Sequence, residues 1–246
     1  MSTLHPALAP GNVAVVTGAA GGIGLAAARR FLDLGMRVCL ADRDDARLAE
    51  AIGGLAHADV ATAAVDVSDR ASVDGLAATV AERFGAVSVL MNNAGIGDGS
   101  DALSNPDAWT RVLGVNFFGV LHGVQAFVPA MADGGAPGLV INTGSKQGIT
   151  QPPGNTAYNV SKSAVKALTE GLAHTLRNRP GCRVRAHLLI PGFTYTGMTA
   201  RRMPAKPPGA SSSSACASVS PTATMRAWPR RPPGSRTPTS RRRRST

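Results

Sequence analysis

A serine, a tyrosine and a lysine stand close together in one stretch of this sequence, INTGSKQGITQPPGNTAYNVSK (141–162). Tyr158 and Lys162 are four residues apart in a helical pattern, which places them on one face of a helix. A free tyrosine has a pKa of about 10, but a nearby ammonium favours the phenolate, which would make Tyr158 a usable acid and base. Ser145, thirteen residues earlier, could hydrogen-bond a substrate oxygen as charge develops on it. The alternative for YNVSK in isolation is an ordinary tyrosine–lysine pair on a solvated helix.

A glycine-rich turn, TGAAGGIG (17–24), follows the first apolar run and opens a helical pattern. Gly18, Gly22 and Gly24 let the backbone turn tightly and approach a pyrophosphate, with Ile23 between the last two glycines. The helix that follows points free N–H groups and its positive dipole end at such an anion. A glycine-rich turn alone is a weak signal, and its position between a strand and a helix strengthens the prediction of a dinucleotide site.

An acidic residue ends the second apolar run, 24 residues after Gly18. Asp42 in that position can accept hydrogen bonds from ribose hydroxyls and would repel a 2′-phosphate, which favours NAD over NADP by roughly two to one. Arg43 beside it keeps NADP open, and the other interpretation of Asp42 is an ordinary helix-start aspartate.

Polar residues also end the third and fourth runs. Asp66 could bond an adenine amino group, while Asn92 and Gly95 suit a crowded turn beside a ligand; each alone would pass as turn or helix-cap chemistry. Asn116 lies in the middle of a helical pattern, where asparagine is mildly unfavourable. It has either a side-chain role or a place as a satisfied polar residue at a kink. The neighbouring candidates in these turns are Val67, Asn93 and Ala94.

Short apolar runs alternate with helical patterns through the first 190 residues, and this alternation must position the candidates. The runs are mostly apolar on both faces, as strands covered above and below would be. They span 13–16, 37–41, 62–67, 87–91, 138–142 and 184–190. The pattern predicts an α/β fold, a doubly wound parallel sheet of the Rossmann type, with ligands at the carboxyl ends of the strands.

Charge and composition separate the body of the chain from its tail. The formal net charge is +11, yet residues 1–200 carry 15 basic and 15 acidic side chains, and residues 201–246 carry 11 basic side chains and no acid. The three cysteines have no metal-ligand spacing such as CxxC, so we expect no metal. No uncharged apolar stretch is expected to approach the roughly 20 residues of a membrane span, and we predict a cytoplasmic protein.

Taken together, these residues resemble the short-chain dehydrogenase/reductase family over about residues 10–200. The resemblance rests on TGAAGGIG, Asp66, NNAG (92–95), Asn116, Ser145, YNVSK (158–162) and PGFTYT (191–196), in family order. Joint occurrence of so many spaced motifs is highly specific. It implies a Rossmann fold, a nicotinamide cofactor, and hydride transfer to or from a small-molecule alcohol or carbonyl compound.

The resemblance also implies roles for individual residues. Tyr158 would be the general acid and base, Ser145 would orient the substrate, and Lys162 would lower the tyrosine pKa and bond the nicotinamide ribose. Asn116 would hold a water in the proton relay. The turn at Pro191, Gly192 and Thr196 would contact the nicotinamide carboxamide. Family members often form dimers through the helices that here carry Asn116 and Tyr158.

The resemblance ends where the composition changes. Family members continue with a substrate-covering segment, a helix and a seventh strand, whereas residues 201–246 are rich in Pro, Ser and Arg and are predicted to be a disordered tail. Three interpretations stay open: a frameshifted end, which we favour, an arm that binds nucleic acid or another polyanion, and a solvated extension without a partner. The sheet would then lack its last edge strand, and a non-catalytic nucleotide-binding scaffold is the alternative to an active enzyme.

Overall fold

A parallel sheet forms the centre of the computed structural model, which describes residues 4–53, 55, 59–103 and 106–194. Six strands pair in the order β3-β2-β1-β4-β5-β6 within these residues, and every pairing is parallel. The order runs outward in both directions from β1 and β4, so the carboxyl ends of these two central strands meet at a topological switch point. The strands are β1 (Val13–Thr17), β2 (Arg37–Asp42), β3 (Val60–Ala64), β4 (Val87–Asn92), β5 (Gly138–Thr143) and β6 (Val184–Leu189).

Helices cover both faces of the sheet and connect consecutive strands. They are α1 (Gly22–Asp33), α2 (Asp45–Gly53), α3 (Arg70–Phe84), α4 (Pro106–Leu113), α5 (Gly119–Asp133), α6 (Gln147–Thr150) and α7 (Thr156–Asn178). A 3₁₀ turn at Pro6–Leu8 precedes β1, and a π-helical turn at Gly114–Phe118 joins α4 to α5. Local sequence explains typical boundaries: Asp69 caps α3 by accepting the N–H of Ala71, and Gly85 ends it at φ 78°.

Alternate side chains of the central strands enter two separate cores. On one face Val15, Leu90 and Val140 pack under α3, α5 and α7. On the other face Val16 and Met91 pack under α1 and α2. Because both faces are buried, the strands are apolar throughout, which explains why the sequence shows continuous runs and no alternation of apolar and polar residues.

The doubly wound parallel sheet predicted from the sequence is confirmed. The third strand is an exception in its bounds, because it spans Val60–Ala64 and not residues 62–67. Val65 and Val67 are buried in the core beside α3 although they have left the strand, so their apolar character reflects packing and not strand pairing. The predictions for residues 201–246 and for Thr196 lie outside the described residues.

One apolar helical stretch contradicts an expectation from the sequence. Pro106–Asp133 runs through α4, the π turn and α5 for 28 residues, with a mean hydropathy of 1.4 in its most apolar window, so it is long and apolar enough to cross a membrane. The expectation that no stretch approaches this length is therefore wrong. Half of that window is buried inside the protein, where α5 packs against α3 and β4, and a core helix of a soluble protein has this same composition.

Candidate active site

A cleft of about 700 Å³ opens at the carboxyl ends of the strands. The glycine-rich turn lies at one end of it, and Ser145 and Tyr158 lie at the other. Most residues singled out from the sequence line this cleft: Gly18, Gly22, Ile23, Asp42, Arg43, Asp66, Val67, Asn93, Ala94, Gly95, Ser145, Tyr158, Lys162, Pro191 and Gly192. Gly24 and Asn116 lie behind its wall. The fold therefore brings together motifs that are separated by up to 174 residues in the chain.

The glycine-rich turn packs directly on the NNAG segment. Gly18 has φ 66°, and a Cβ added there would lie 2.7 Å from the Cα of Ala94. A Cβ on Gly24 would overlap the carbonyl oxygen of Gly18, so both positions require glycine. Asn93 holds the two segments together, because its Nδ2 donates to the carbonyls of Thr17 at 3.1 Å and Gly18 at 3.3 Å. The turn thus presents Gly18, Gly21 and Gly22 to the cleft at the start of α1.

Asp42 ties the end of β2 to the same turn. Its Oδ2 accepts the N–H of Ala20 at 3.1 Å, and its Oδ1 accepts the N–H of Asp44 at 3.2 Å. The helix-start role left open for Asp42 belongs to Asp44, whose carboxylate accepts the N–H of Arg47 at the first turn of α2. Asp42 thus presents a carboxylate to the cleft from a fixed position.

Arg47 is a cleft residue that the sequence motifs did not identify. Its guanidinium lies over the glycine-rich turn, 2.9 Å from the place that a Cβ on Gly21 would occupy. The available signal was its position one turn inside the helix that follows the Asp42 strand. Arg43 lies at the same end of the cleft, and its positive charge contributes to lowering the pKa of Asp66, after the larger effect of the Ser68 hydroxyl.

The hydroxyl of Ser145 lies close enough to the phenol of Tyr158 to affect its pKa. Ser145 follows β5, and Tyr158 lies in the first turn of α7. Burial raises the pKa of Tyr158 above its usual value, and the nearby hydroxyl of Ser145 opposes this rise. The direction is opposite to the lowering predicted from the spacing of Tyr158 and Lys162, because removal of the phenol from water outweighs any attraction to the ammonium.

Lys162 is almost completely removed from solvent. Its Nζ donates to the backbone carbonyl of Thr143 at 2.8 Å and lies 5.7 Å from the ring centroid of Tyr158. Burial lowers the pKa of Lys162 from 10.5 to about 8. The ammonium therefore lies beside the tyrosine ring and is held by the strand end that also precedes Ser145.

Asn116 occupies the π-helical turn and is fully buried. Its Oδ1 accepts the N–H of Ile96 at 2.8 Å, and its Nδ2 donates to the carbonyl of Ile96 at 2.9 Å and to Oγ of Ser161 at 3.1 Å. Ser161 in turn donates to the carbonyl of Tyr158 at 2.7 Å. The side-chain amide of Asn116 therefore has protein partners for both its oxygen and its nitrogen. Its side chain also joins the loop after β4 to the helix that carries Tyr158.

Two carboxamides line the cleft beside the Ser145–Tyr158 pair. Gln147 begins α6, and its Oε1 accepts Nδ2 of Asn155 at 3.4 Å. Asn155 was not singled out from the sequence, and only its place in a Pro- and Gly-rich turn before a helix marked it. A Cβ on Gly97 would lie 3.7 Å from the Tyr158 ring and 3.8 Å from Asn155. The described part of the chain groups no three His, Cys, Asp or Glu side chains that could hold a metal ion.

Comparison with known proteins identifies the family. Residues 12–207 match the family model for short chain dehydrogenase, which is most of the chain. This chain belongs to the short-chain dehydrogenase/reductase family. Galactitol 2-dehydrogenase (L-tagatose-forming) from Cereibacter sphaeroides is 41% identical over 192 residues, covering 77% of this chain and 74% of that protein. 3beta-hydroxysteroid dehydrogenase 2 from Eggerthella lenta is 34% identical over 200 residues, covering 79% of this chain and 75% of the relative.

Solved structures of family members share the fold and contain the cofactor. A short-chain dehydrogenase/reductase from Burkholderia phymatum in complex with NAD aligns with a TM-score of 0.75 at 43% identity, covering 79% of this chain and 71% of the other. 3-Ketoacyl-(acyl-carrier-protein) reductase from Brucella melitensis complexed with NADH aligns with a TM-score of 0.72 at 32% identity, covering 78% and 79%. This short-chain dehydrogenase/reductase is an NAD(P)-dependent oxidoreductase.

The cleft of this short-chain dehydrogenase/reductase fits such a dinucleotide. Its volume lies within the range of ligand pockets, about 300–1,000 Å³. Gly21 and Gly22 line the cleft with no side chain between them and the start of α1, where free N–H groups suit a pyrophosphate. The carboxylate of Asp42 lies at one end of the cleft, where it would suit a ribose of the ligand. The hydroxyls of Ser145 and Tyr158 lie at the other end, where they would suit its reacting group.

Proposed function

We propose that this short-chain dehydrogenase/reductase transfers a hydride between NAD(P) and a secondary alcohol or ketone, with Tyr158 as general acid and base. One arrangement carries this proposal. The hydroxyls of Ser145 and Tyr158 lie close to each other in the lining of the cleft, and Lys162 is buried beside them. A substrate oxygen placed against both hydroxyls would meet a proton donor and a second hydrogen-bonding group at once.

The residues that would hold the cofactor follow from the cleft. The glycine-rich turn would take the pyrophosphate, with Asp42 on the adenosine ribose and Asp66 at the adenine. Asp42 favours NAD over NADP, since a carboxylate held at 3.1 Å from the Ala20 N–H cannot swing away from a 2′-phosphate without breaking that bond. The remaining contacts would come from Gly18, Gly22, Ile23, Gly24, Arg43, Val67, Asn93, Ala94, Gly95, Tyr158, Lys162, Pro191, Gly192 and Thr196.

The raised pKa of Tyr158 determines which direction its proton chemistry favours at neutral pH. The bound nicotinamide supplies or accepts the hydride at its C4 position. Tyr158 is protonated at neutral pH, so in the reductive direction it can donate its proton directly to the carbonyl oxygen of the substrate. In the oxidative direction it must first lose that proton, and the ammonium of Lys162 behind the ring favours the resulting phenolate.

Ser145 and Asn116 would support this proton transfer from either side. Ser145 can hydrogen-bond the substrate oxygen and orient it toward Tyr158, since its hydroxyl already reaches the phenol. Asn116 would contribute to a water-mediated relay from Lys162. Its side-chain amide is already engaged with Ile96 and Ser161, so a water would be held through the geometry of the π turn and not by that amide.

A secondary alcohol or ketone is the substrate class that the cleft and the relatives favour. The wall beside Tyr158 combines the carboxamides of Gln147 and Asn155 with apolar Ile96 and Phe193, which suits a molecule with both polar and apolar parts. The names of the two relatives above describe oxidation at carbon 2 of a polyol and at a 3β-hydroxyl of a steroid, both of which are secondary alcohols.

A steady-state assay of the full chain tests this function. NAD⁺ or NADP⁺ is mixed with a panel of polyols and cyclic secondary alcohols, and the absorbance of reduced nicotinamide is followed; the reverse assay uses the matching ketones. We expect turnover in both directions and a preference for NAD. Tight cofactor binding without turnover on any substrate would instead support the second candidate, a non-catalytic nucleotide-binding scaffold.

We also propose that the chain forms a homodimer through the helices that carry Asn116 and Tyr158. Phe118, at the end of the π turn, and Val160, on α7, are large apolar side chains exposed by 45% and 41%. Such residues on neighbouring helices favour burial against a second copy. Sedimentation of the full chain should give the mass of a dimer, and Phe118→Glu should shift it toward the monomer.

A further inference from the structure

A chain of buried hydrogen bonds crosses the core behind the site and has no part in the chemistry described so far. Asn92 on β4 donates to Oδ1 of Asn142 on β5 at 2.9 Å, and Asn142 donates to Oγ1 of Thr169 on α7 at 3.0 Å. The Thr169 hydroxyl then donates to the carbonyl of Val165, on its own helix, at 2.7 Å. None of the three side chains is more than 3% exposed.

This chain of bonds has one direction. Asn142 and Thr169 each accept a hydrogen bond from the preceding residue of this series and donate one to the next group. The hydroxyl of Thr169 therefore cannot be exchanged for a methyl without leaving an Nδ2 donor of Asn142 unpaired. A buried donor without a partner is strongly unfavourable. The bond therefore penalises any movement of α7 along β5 that would separate Thr169 from Asn142.

The polar chain is adjacent to the contact that holds Lys162. Asn142 is followed by Thr143, whose carbonyl accepts the ammonium of Lys162 at 2.8 Å. Thr169 lies seven residues after Lys162, two turns further along the same face of α7. The hydrogen bonds from Lys162 to Thr143 and from Asn142 to Thr169 thus connect successive residues of β5 to one face of α7. Neither Asn142 nor Thr169 lines the cleft.

Stability alone does not explain a polar connection at this place. Apolar residues of similar volume fill equivalent positions in the rest of this core, such as Val140 on β5 and Val165 on α7. Replacing a buried polar group by an apolar one of the same shape is often neutral or stabilising when both partners are replaced. A directional bond gives what an apolar contact does not, which is a single position of the helix along the strand.

We propose that Asn142 and Thr169 are positioning residues for the reaction, whose hydrogen bond sets α7 against β5 so that Lys162 meets Thr143 and Tyr158 meets Ser145. The proposal rests on the function proposed above for Tyr158 and Lys162. Neither Asn142 nor Thr169 lines the cleft, so they act through the two residues that do.

The phenol of Tyr158 provides a readout that needs no substrate or cofactor. The chain has two tyrosines, Tyr158 and Tyr195, so the ultraviolet absorbance of phenolate can be followed against pH. Subtracting the titration of the same protein carrying Tyr158→Phe isolates Tyr158. The ionisable side chains of the cleft beside it are Lys162 on its own helix and Lys146 before α6, while Asp98 after β4 is paired with Arg111.

Two variants remove the hydroxyl and two controls keep the bond. Thr169→Val and Thr169→Ala both leave Asn142 without an acceptor, and the alanine variant avoids placing a methyl beside that amide. Thr169→Ser keeps the hydroxyl. Thr175→Val makes the same change at an exposed threonine of α7 that bonds only the Gly171 carbonyl on its own helix.

We expect Thr169→Val and Thr169→Ala to raise the midpoint of the Tyr158 phenolate titration by about 0.5 pH units or more. Ser145, which follows β5, opposes the rise in the pKa of Tyr158, and a shift of α7 against β5 moves the phenol away from it. Turnover should fall about tenfold. Thr169→Ser and Thr175→Val should match the parent protein in both measurements.

A lower melting temperature in Thr169→Val and Thr169→Ala with an unchanged or lowered phenolate midpoint would overturn the proposal, because a merely structural role gives that result. Failure of the parent protein to turn over any substrate would contradict the proposed function and leave this titration as a separate test of the positioning.

Discussion

The ammonium of Lys162 donates a 2.8 Å hydrogen bond to the backbone carbonyl of Thr143, from a side chain that is only 3% exposed. Burying a charged amine is unfavourable, and burial is the cause of the lowered pKa of Lys162, with no contribution from a carboxylate. The protein thus keeps a cation behind Tyr158 at a cost in stability. This cost makes the protonation of Lys162 measurable through the folding equilibrium.

The first prediction concerns stability against pH. Burial lowers the pKa of Lys162 from 10.5 to about 8, so between these values the unfolded chain binds more protons than the folded one. Stability from this group therefore rises with pH across that window. We expect the unfolding free energy of the parent protein to rise by roughly 2 kcal/mol relative to Lys162→Met between pH 8 and pH 10.

Urea unfolding of the two proteins at a series of pH values measures this difference. Tyr158 does not obscure it, because its pKa is raised above its ordinary value of 10.0 and its contribution has the opposite sign above the window. Parallel curves for the parent and Lys162→Met would show that Lys162 is not buried as a cation.

The second prediction compares two helical glycines. A Cβ on Gly123 would overlap Oδ1 of Asn92, a buried atom fixed by the polar chain behind the site. Gly171, on the exposed side of α7, has open space around it. We expect Gly123→Ala to destabilise the protein by about 2 kcal/mol and Gly171→Ala to stabilise it by about 0.5–1 kcal/mol. Thermal or denaturant unfolding checks both, and equal effects of the two changes would refute the close approach at Asn92.

The third prediction concerns cofactor choice. Removing the carboxylate in Asp42→Ala takes away the charge that would repel a 2′-phosphate and leaves the guanidiniums of Arg43 and Arg47 at that end of the cleft. We expect the ratio of kcat/KM for NADP⁺ to that for NAD⁺ to rise about tenfold or more. Asp44→Ala is the matched control, since it removes a helix cap outside the cleft and should cost about 1 kcal/mol of stability without changing the ratio. An unchanged ratio in Asp42→Ala would place the adenosine ribose elsewhere.

Much of the fold could be predicted from the sequence because the central strands are covered on both faces and therefore read as continuous apolar runs. The bounds of β3 could not, since Val65 and Val67 are apolar for reasons of packing after the strand has ended. The role of Pro106–Asp133 could not be predicted from composition either, because a membrane span and a core helix can be equally apolar. The packing of α5 against α3 and β4 explains the apolar side chains of this stretch.

Some residues of the site could likewise be predicted from the sequence, and others could not. Residues in local motifs, such as Tyr158 and Asp42, could be found because their chemistry depends on spacing along the chain. Arg47 and Asn155 could not, because they reach the cleft through the path of the fold and belong to no motif. The direction of the Tyr158 pKa also required the structure, since burial of the phenol raises it and cannot be read from the spacing of Tyr158 and Lys162 along the chain.

The central claim is that Tyr158 transfers the proton at the substrate oxygen. Tyr158→Phe removes one hydroxyl and keeps the ring against Lys162, so the cleft and the cofactor contacts away from that hydroxyl should be preserved. The measurement is turnover of the best substrate by this variant, alongside the Kd for the nicotinamide cofactor by fluorescence titration. We expect turnover to fall by about a thousandfold or more, with the Kd within about twofold of the parent value. Turnover near the parent rate would contradict the account.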